Sequence, residues 1–137
     1  MNVKRYAHGE GDFWQRMGPF LASAQVRREL GVAITSDEKT VWWLAIDGSD
    51  ILGFCAARVQ GDVCHLRHDY VVPGARGNGI YRALFSARLE GCQGMGKVMR
   101  ATVSKNSLPQ YLGSGFVATG TRGQYTIVER GVTHGSV

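Results

Sequence analysis

The chain has 137 residues, 44% of them hydrophobic and 20% charged, with 16 lysines and arginines against 11 aspartates and glutamates. That length suits a single domain, 1–137, with a real core, and no apolar run approaches the roughly 18–20 residues that a membrane helix needs. The three cysteines, Cys55, Cys64 and Cys92, are odd in number and lack paired spacing, which argues against a disulfide framework or a zinc site. The formal net charge of +5 suits an anionic ligand. It is compatible with nucleic acid too, although no dense Lys/Arg stripe forms. Met1-Asn2-Val3-Lys4-Arg5-Tyr6 has no apolar core of a signal peptide, so a cytoplasmic location is expected, with no membrane partner.

In chain order, Asn2 to Tyr6 alternates weakly and predicts an edge strand. Phe13, Trp14, Met17, Phe20, Leu21, Ala24, Val26 and Leu30 recur at helical spacing. Pro19 interrupts that face, which predicts two short helices or one kinked helix ending near Gly31. Val41 to Ile46 is an apolar strand, Asp47-Gly48-Ser49-Asp50 a turn, and Ile51 to Gln60 the return strand of a hairpin. Gly61-Asp62 marks another turn, and Val63 to Val72 is a third strand. From Ile80, the positions Ala83, Leu84, Ala87 and Leu89 mark a helix that ends in the glycines at 91, 94 and 96. Lys97 to Val103 is a further strand. Asn106 or Ser107 caps a short helix with Pro109 in its first turn. Phe116 to Thr119 and Gln124 to Glu129 form a last pair of strands around a turn at Gly120 to Gly123, and Gly131 to Val137 reads as a loose tail.

The stretch that organises this order is Val71-Val72-Pro73-Gly74-Ala75-Arg76-Gly77-Asn78-Gly79-Ile80-Tyr81-Arg82. It reads as strand, tight glycine-rich loop and helix N-terminus. The first N–H groups of a helix have no partner within it, and the helix dipole there favours negative charge. With Arg76 beside them, the loop is a candidate phosphate or pyrophosphate cradle. A nucleotide P-loop would need Gly-Lys-Ser/Thr, which does not occur. A dinucleotide fingerprint would need a third glycine where Arg82 stands.

The remaining pattern, Arg76-Gly77-Asn78-Gly79-Ile80-Tyr81, resembles the acyl-coenzyme A pyrophosphate loop of the GNAT superfamily of N-acetyltransferases. Its last position departs, because Tyr81 stands where a small residue is usual; a phenol there would crowd the pyrophosphate or stack near it. A second stretch, Asn106 to Phe116, is similar to the late GNAT signature, with Tyr111, Gly115 and Phe116 matching. The resemblance spans roughly residues 41 to 129. It implies an α/β (α+β) fold with a central mixed, mostly antiparallel sheet, flanked by helices and splayed open around an acyl-coenzyme A cleft. The N-terminal helical region would then lie near the acceptor, and homodimers are common in such proteins.

The implied activity is transfer of an acetyl group from acetyl-coenzyme A to a primary amine of unknown class by direct attack. The resemblance assigns the pyrophosphate to the backbone of Arg76, Gly77, Asn78, Gly79, Ile80 and Tyr81. It assigns strand-like pairing with the pantetheine arm to Val71 and Val72, and a contact from across the cleft to Asn106. Tyr111 matches the general acid that protonates the departing thiolate, a role suited to a phenol with a pKa of about 10. Counting back from Arg76 by the family spacing lands on His65 as the base, with Asp69 to orient it or act instead, and His68 as the substitute if a bulge shifts the register. Simple alternation puts His65, Arg67, Asp69 and Val71 on one face and Cys64, Leu66, His68 and Tyr70 on the other. His65, His68 and Asp69 could be drawn as metal ligands, but residues three apart on a flat strand point to opposite faces, so no metal is expected. Two other readings are a non-catalytic module whose cradle Tyr81 blocks, and a relative of the phage proteins of this fold that alter DNA bases.

Overall fold

A computed structural model describes residues 1–132. The elements are β1 (Asn2–Ala7), α1 (Phe13–Leu21), α2 (Ala24–Leu30), β2 (Thr40–Asp47), β3 (Asp50–Gln60), β4 (Val63–Val71), α3 (Ile80–Gly91), β5 (Val98–Val103), α4 (Leu108–Leu112), β6 (Val117–Arg122) and β7 (Tyr125–Gly131). The strands form one sheet in the order β1-β2-β3-β4-β5-β7-β6. β4 and β5 are parallel, whereas β1–β2, β5–β7 and β6–β7 are antiparallel. This is the mixed, mostly antiparallel sheet with flanking helices that the sequence implies.

The helical face after β1 resolves into two helices, but proline does not separate them. Pro19 sits inside α1, where the helix loses one hydrogen bond close to its end. The break comes at Ser23, whose hydroxyl caps α2 by accepting from the Val26 N–H at 3.2 Å. Gly31 ends α2 with φ +78°, as the pattern predicts. At the other end of the chain, β6 runs on to Arg122 and the turn falls at Gly123-Gln124. The predicted turn at Gly120 is instead an irregularity in the β6–β7 register, between Ala118 and Gly120. Of the predicted tail, Gly131 is the last residue of β7, and residues 133–137 lie outside the described residues.

The chain groups into two compact units. The first contains Met1–Ala57 and His68–Gly91; the second contains Arg58–Arg67 and the chain from Cys92 onward. The first has an aromatic core in which Tyr6, Phe13, Trp42, Phe54 and Tyr70 are buried with Met17 and Leu44. Trp42 and Phe54 meet edge to face at 5.8 Å, and Phe54 stacks on Tyr70 at 5.4 Å. Rings of this size bury much apolar surface and prefer such offset or tilted arrangements. The second unit buries Met99, Ala101, Val103, Tyr111, Phe116 and Val128.

One irregularity in β4 reorganises what the strand presents. The two-residue turn at Gly61-Asp62 sets Gln60 opposite Val63. At the far end, the Val72 N–H donates to the Leu52 carbonyl at 2.9 Å. Residues 64–71 on one strand therefore face residues 53–59 on the other, so β4 carries one extra residue, a β-bulge. His68, with φ +61°, is the one non-glycine residue with positive φ among the described residues. An extra residue exchanges the faces of the side chains on its two sides. The simple alternation that joins His65 and Arg67 to Asp69 and Val71 does not carry across His68.

Candidate active site

Between β4 and α3 the chain makes a short 3-10 turn at Pro73–Ala75 and then passes through Gly77 and Gly79, with φ of +82° and +79°. Only glycine adopts such angles routinely. A Cβ at either position would meet nothing within 4 Å, so conformation, not space, demands glycine here. The Ala83 N–H donates to the Gly79 carbonyl at 3.0 Å, which starts α3. The N–H groups of Ile80, Tyr81 and Arg82 occupy its first turn, where the helix itself supplies no acceptor. The Asn78 amide donates to the Ala75 carbonyl at 3.3 Å and closes the loop on itself. The loop has the strand, turn and helix form that the sequence predicts, and its residues fit a pyrophosphate: first-turn helix N–H groups, open space over two glycines, and the exposed Arg82.

Arg76 is used differently from the expectation that it adds charge for a phosphate. Its Nε donates to the Val71 carbonyl at 2.9 Å, and its guanidinium pairs with Glu29 of α2 and lies 5.6 Å over the Tyr70 ring. The hydrogen bond from Arg76 holds the Glu29 carboxyl below the usual carboxylate range. Val71 and Val72 also divide. The Val72 N–H belongs to Leu52 of β3, and its carbonyl accepts from the Ala75 N–H at 2.9 Å. Adjacent residues of a strand turn their N–H and C=O to opposite edges, so Val71, not Val72, presents its backbone away from β3.

Tyr81 does not reach over the loop. Its hydroxyl donates to Asp69 Oδ2 at 3.3 Å, and its ring lies 6.0 Å from Phe85. Asp69 in turn pairs with Arg88 through both carboxylate oxygens, Oδ2 at 3.0 Å. Arg88 is 1% exposed and also donates to the Ala56 carbonyl at 3.2 Å. Asp69, expected to orient His65 or act in its place, is instead the anchor that binds β4 to α3. A carboxylate held by a bidentate guanidinium is stabilised as the anion and makes a poor base. Nearby, Cys55 is fully buried, its thiol directed at the Leu84 carbonyl at 3.7 Å; burial pushes its pKa up to about 12. Cys64 and Cys92 are buried thiols 3.6 Å apart in the second unit.

The two histidines of β4 differ. His68 is buried, stacks on Trp42 at 5.6 Å, and accepts the Thr35 N–H on Nε2 at 3.2 Å. It is a core histidine and no substitute base. His65 is half-buried, and burial first, then Arg100, Arg67 and Arg58, hold its pKa below the ordinary imidazole value. The ring is neutral at pH 7, with a nitrogen able to accept a proton. Also in the second unit, Tyr111 of α4 is 2% exposed and meets Phe116 edge to face at 5.1 Å. Asn106 is exposed in the turn before α4. The β4–β5 ladder runs from Val63–Val98 to His65–Arg100, although β4 continues to Val71. Among the described residues no group of three or more His, Cys, Asp or Glu could hold a metal ion, and no helix is long and apolar enough to cross a membrane.

Sequence reasoning misses one feature of the first unit. An open groove of about 660 Å³ runs between α1 and the β2–β3 hairpin, lined by Asp12, Arg16, Phe20, Asp50 and Leu52 and reaching Val72. Asp12 accepts from the Tyr6 hydroxyl at 2.7 Å and from Arg16 Nε at 2.6 Å, and these bonds lower its pKa. Only the i, i+4 spacing of Asp12 and Arg16 could have signalled this pair.

A family model described as an acetyltransferase (GNAT) domain matches residues 13–134. With the sheet, the bulged strand and the glycine cradle above, the chain belongs to the GNAT family of acetyltransferases. Among solved structures, a GNAT-family acetyltransferase from Staphylococcus aureus superposes with a TM-score of 0.67 at 15% identity, covering 96% of this chain and 100% of that one. The PaiA N-acetyltransferase from Thermoplasma acidophilum, in complex with coenzyme A, gives 0.61 at 14%, with 96% and 99% covered. The N-acetylglutamate synthase from Neisseria gonorrhoeae, complexed with coenzyme A and N-acetyl-glutamate, gives 0.69 at 14%, with 98% and 36% covered. At these identities the likeness is one of fold. No curated protein sequence matches the chain.

Proposed function

We propose that this acetyltransferase-family chain acts as one domain that moves an acetyl group from acetyl-coenzyme A to a primary amine by direct attack. The observation that carries the reading is the cradle: two positive-φ glycines leading into the open first turn of α3, with Tyr81 drawn aside by Asp69. The coenzyme A in the similar Thermoplasma structure supports the choice of ligand. Backbone N–H groups from Gly77 to Arg82 hold the pyrophosphate. The Val71 backbone edge takes the pantetheine arm, with Asn106 as a further contact. The bound thioester supplies an activated acyl carbon. His65 accepts the proton of the attacking amine, and Tyr111 gives its phenolic proton to the departing thiolate. Asp69 has no proton-transfer role.

The position of Tyr81 also bears on the reading of a blocked, non-catalytic module, because the hydrogen bond to Asp69 leaves the loop mouth clear. Isothermal titration tests the proposal. The wild-type protein is expected to bind acetyl-coenzyme A. Gly79→Val forces a β-branched residue into φ +79°, at about 1–2 kcal/mol or more, and weakens binding by about tenfold or more. A wild-type protein that binds no acetyl-coenzyme A would sink the proposal.

A further inference from the structure

Tyr81 stands in the first turn of α3, where the resemblance expects a small residue, and the proposed transfer gives its side chain no part. Tyr81, Phe85 and Arg88 follow one another at spacings of four and three, which sets them on one face of the helix. That face meets β4 at Asp69. The Tyr81 hydroxyl donates to Asp69 Oδ2 at 3.3 Å, and Arg88, two turns further along α3, donates to both carboxylate oxygens. The Tyr81 ring lies 6.0 Å from the Phe85 ring, and the Arg88 guanidinium lies 6.0 Å from the same ring. The four side chains close a circuit around Phe85, which is buried.

This circuit spans the two halves of the proposed coenzyme site. Asp69 lies two residues before Val71, whose backbone edge is assigned to the pantetheine arm, and Tyr81 lies in the helix turn assigned to the pyrophosphate. Of the eight residues from Val72 to Gly79 that join them, three are glycine, the residue with most backbone freedom to lose. The bonds from the Ala75 N–H to Val72, from Arg76 Nε to Val71 and from the Asn78 amide to Ala75 tie that loop to itself and to β4. Tyr81 adds a tie between β4 and the first turn of α3. Its acceptor is fixed, because Asp69 is gripped by Arg88, itself buried and bonded to the Ala56 carbonyl. A hydrogen bond to an ionised carboxylate is also stronger than one between neutral groups.

We infer that Tyr81 is a positioning residue, which through Asp69 holds the pyrophosphate cradle at a set distance from the Val71 edge so that one coenzyme engages both. The inference rests on the proposed coenzyme reading. A ligand with two heads gains affinity when its second head meets its subsite at high effective concentration, and that gain depends on how the two subsites are placed. Either head alone meets one subsite and does not sense the spacing.

Isothermal titration with three ligands separates these effects: acetyl-coenzyme A, S-acetyl-pantetheine for the Val71 edge, and adenosine diphosphate for the cradle. Tyr81→Phe keeps the ring on Phe85 and removes the hydroxyl. It should weaken acetyl-coenzyme A binding by about three- to tenfold, while the affinity for each half changes by less than about twofold. In a double-mutant cycle on acetyl-coenzyme A binding, Tyr81→Phe and Asp69→Asn should be non-additive, since both remove one bond. Circular dichroism checks that each variant is folded, and the Tyr81→Phe comparison decides by itself if Asp69→Asn is not. Unchanged acetyl-coenzyme A binding in Tyr81→Phe overturns the inference. So does a loss of affinity for one half as large as that for the whole, because the hydroxyl then touches the ligand directly. The two readings fail separately. A wild-type protein that binds no acetyl-coenzyme A removes the coenzyme reading itself, whereas wild-type binding that Tyr81→Phe leaves unaltered removes the positioning role alone.

Discussion

The two halves of β4 carry similar residues to different ends. Val63–Arg67 presents His65 half-buried among arginines. His68–Val71 sends His68 under Trp42, Tyr70 into the aromatic core, and Asp69 to a buried arginine. A histidine and its charged neighbours are proposed for chemistry in the first half and are scaffold in the second. What separates them is one extra residue, which exchanges faces and lets a single strand serve a half-buried polar row and a closed core. Residue type alone does not distinguish a base from a packing group; the face and the neighbours do.

The comparison breaks most sharply at Arg88. Arg88→Ala leaves Asp69 without its buried partner and should cost about 3–5 kcal/mol, measured by urea unfolding. Adding Asp69→Ala should restore much of the loss, because the uncompensated charge is then gone. If the single variant is as stable as the wild type, Asp69 is no anchor and its place in the scaffold half is wrong.

Tyr111→Phe is expected next in size. It keeps the edge-to-face packing on Phe116 but removes the proton donor, so kcat should fall about 100-fold or more with the KM for acetyl-coenzyme A little changed. Steady-state kinetics at saturating coenzyme checks this, and an unchanged kcat leaves Tyr111 a packing residue.

Exchanging the two histidines sharpens the contrast directly. His65→Gln should lower kcat by about 100-fold and remove the acid limb of the pH profile. In the wild type that limb should have its midpoint below 6.5, since burial and the three arginines hold the His65 pKa down. Activity is then full at neutral pH and lost as pH falls. The same shift makes the native state release the His65 proton more readily than the unfolded chain does. Its contribution to stability is complete above about pH 6.5 and declines as pH drops below that. His68→Gln should leave the pH profile alone and cost about 1–3 kcal/mol of stability, because it disturbs a buried hydrogen bond and a stacked ring. Equal kinetic effects of the two changes would erase the distinction between the halves.

Glu29→Gln has the smallest expected effect. The pair with Arg76 is solvent-exposed, so thermal melting should barely move. Acetyl-coenzyme A binding should tighten slightly at low salt, as Arg76 keeps its charge and loses its competing carboxylate. Weaker binding would mean that Glu29 is needed to hold the loop.

The element order and the glycine-rich turn before α3 were legible in the sequence because each depends on local chemistry. Gly77 and Gly79 declare positive φ, Ser23 and Gly31 bound a helix, and apolar periodicity marks the strands. The bulge at His68 was not legible, because histidine carries no signal for φ +61° and the strand around it alternates in burial without a break. The fate of Arg76, Tyr81 and Asp69 followed from partners far along the chain, Glu29 and Arg88. Sequence by itself determined which elements form and where an anion can meet helix N–H groups, since those are matters of neighbouring residues. Only the tertiary structure decided which charged side chains remain for ligands, because burial commits a charge to whatever partner the fold brings beside it.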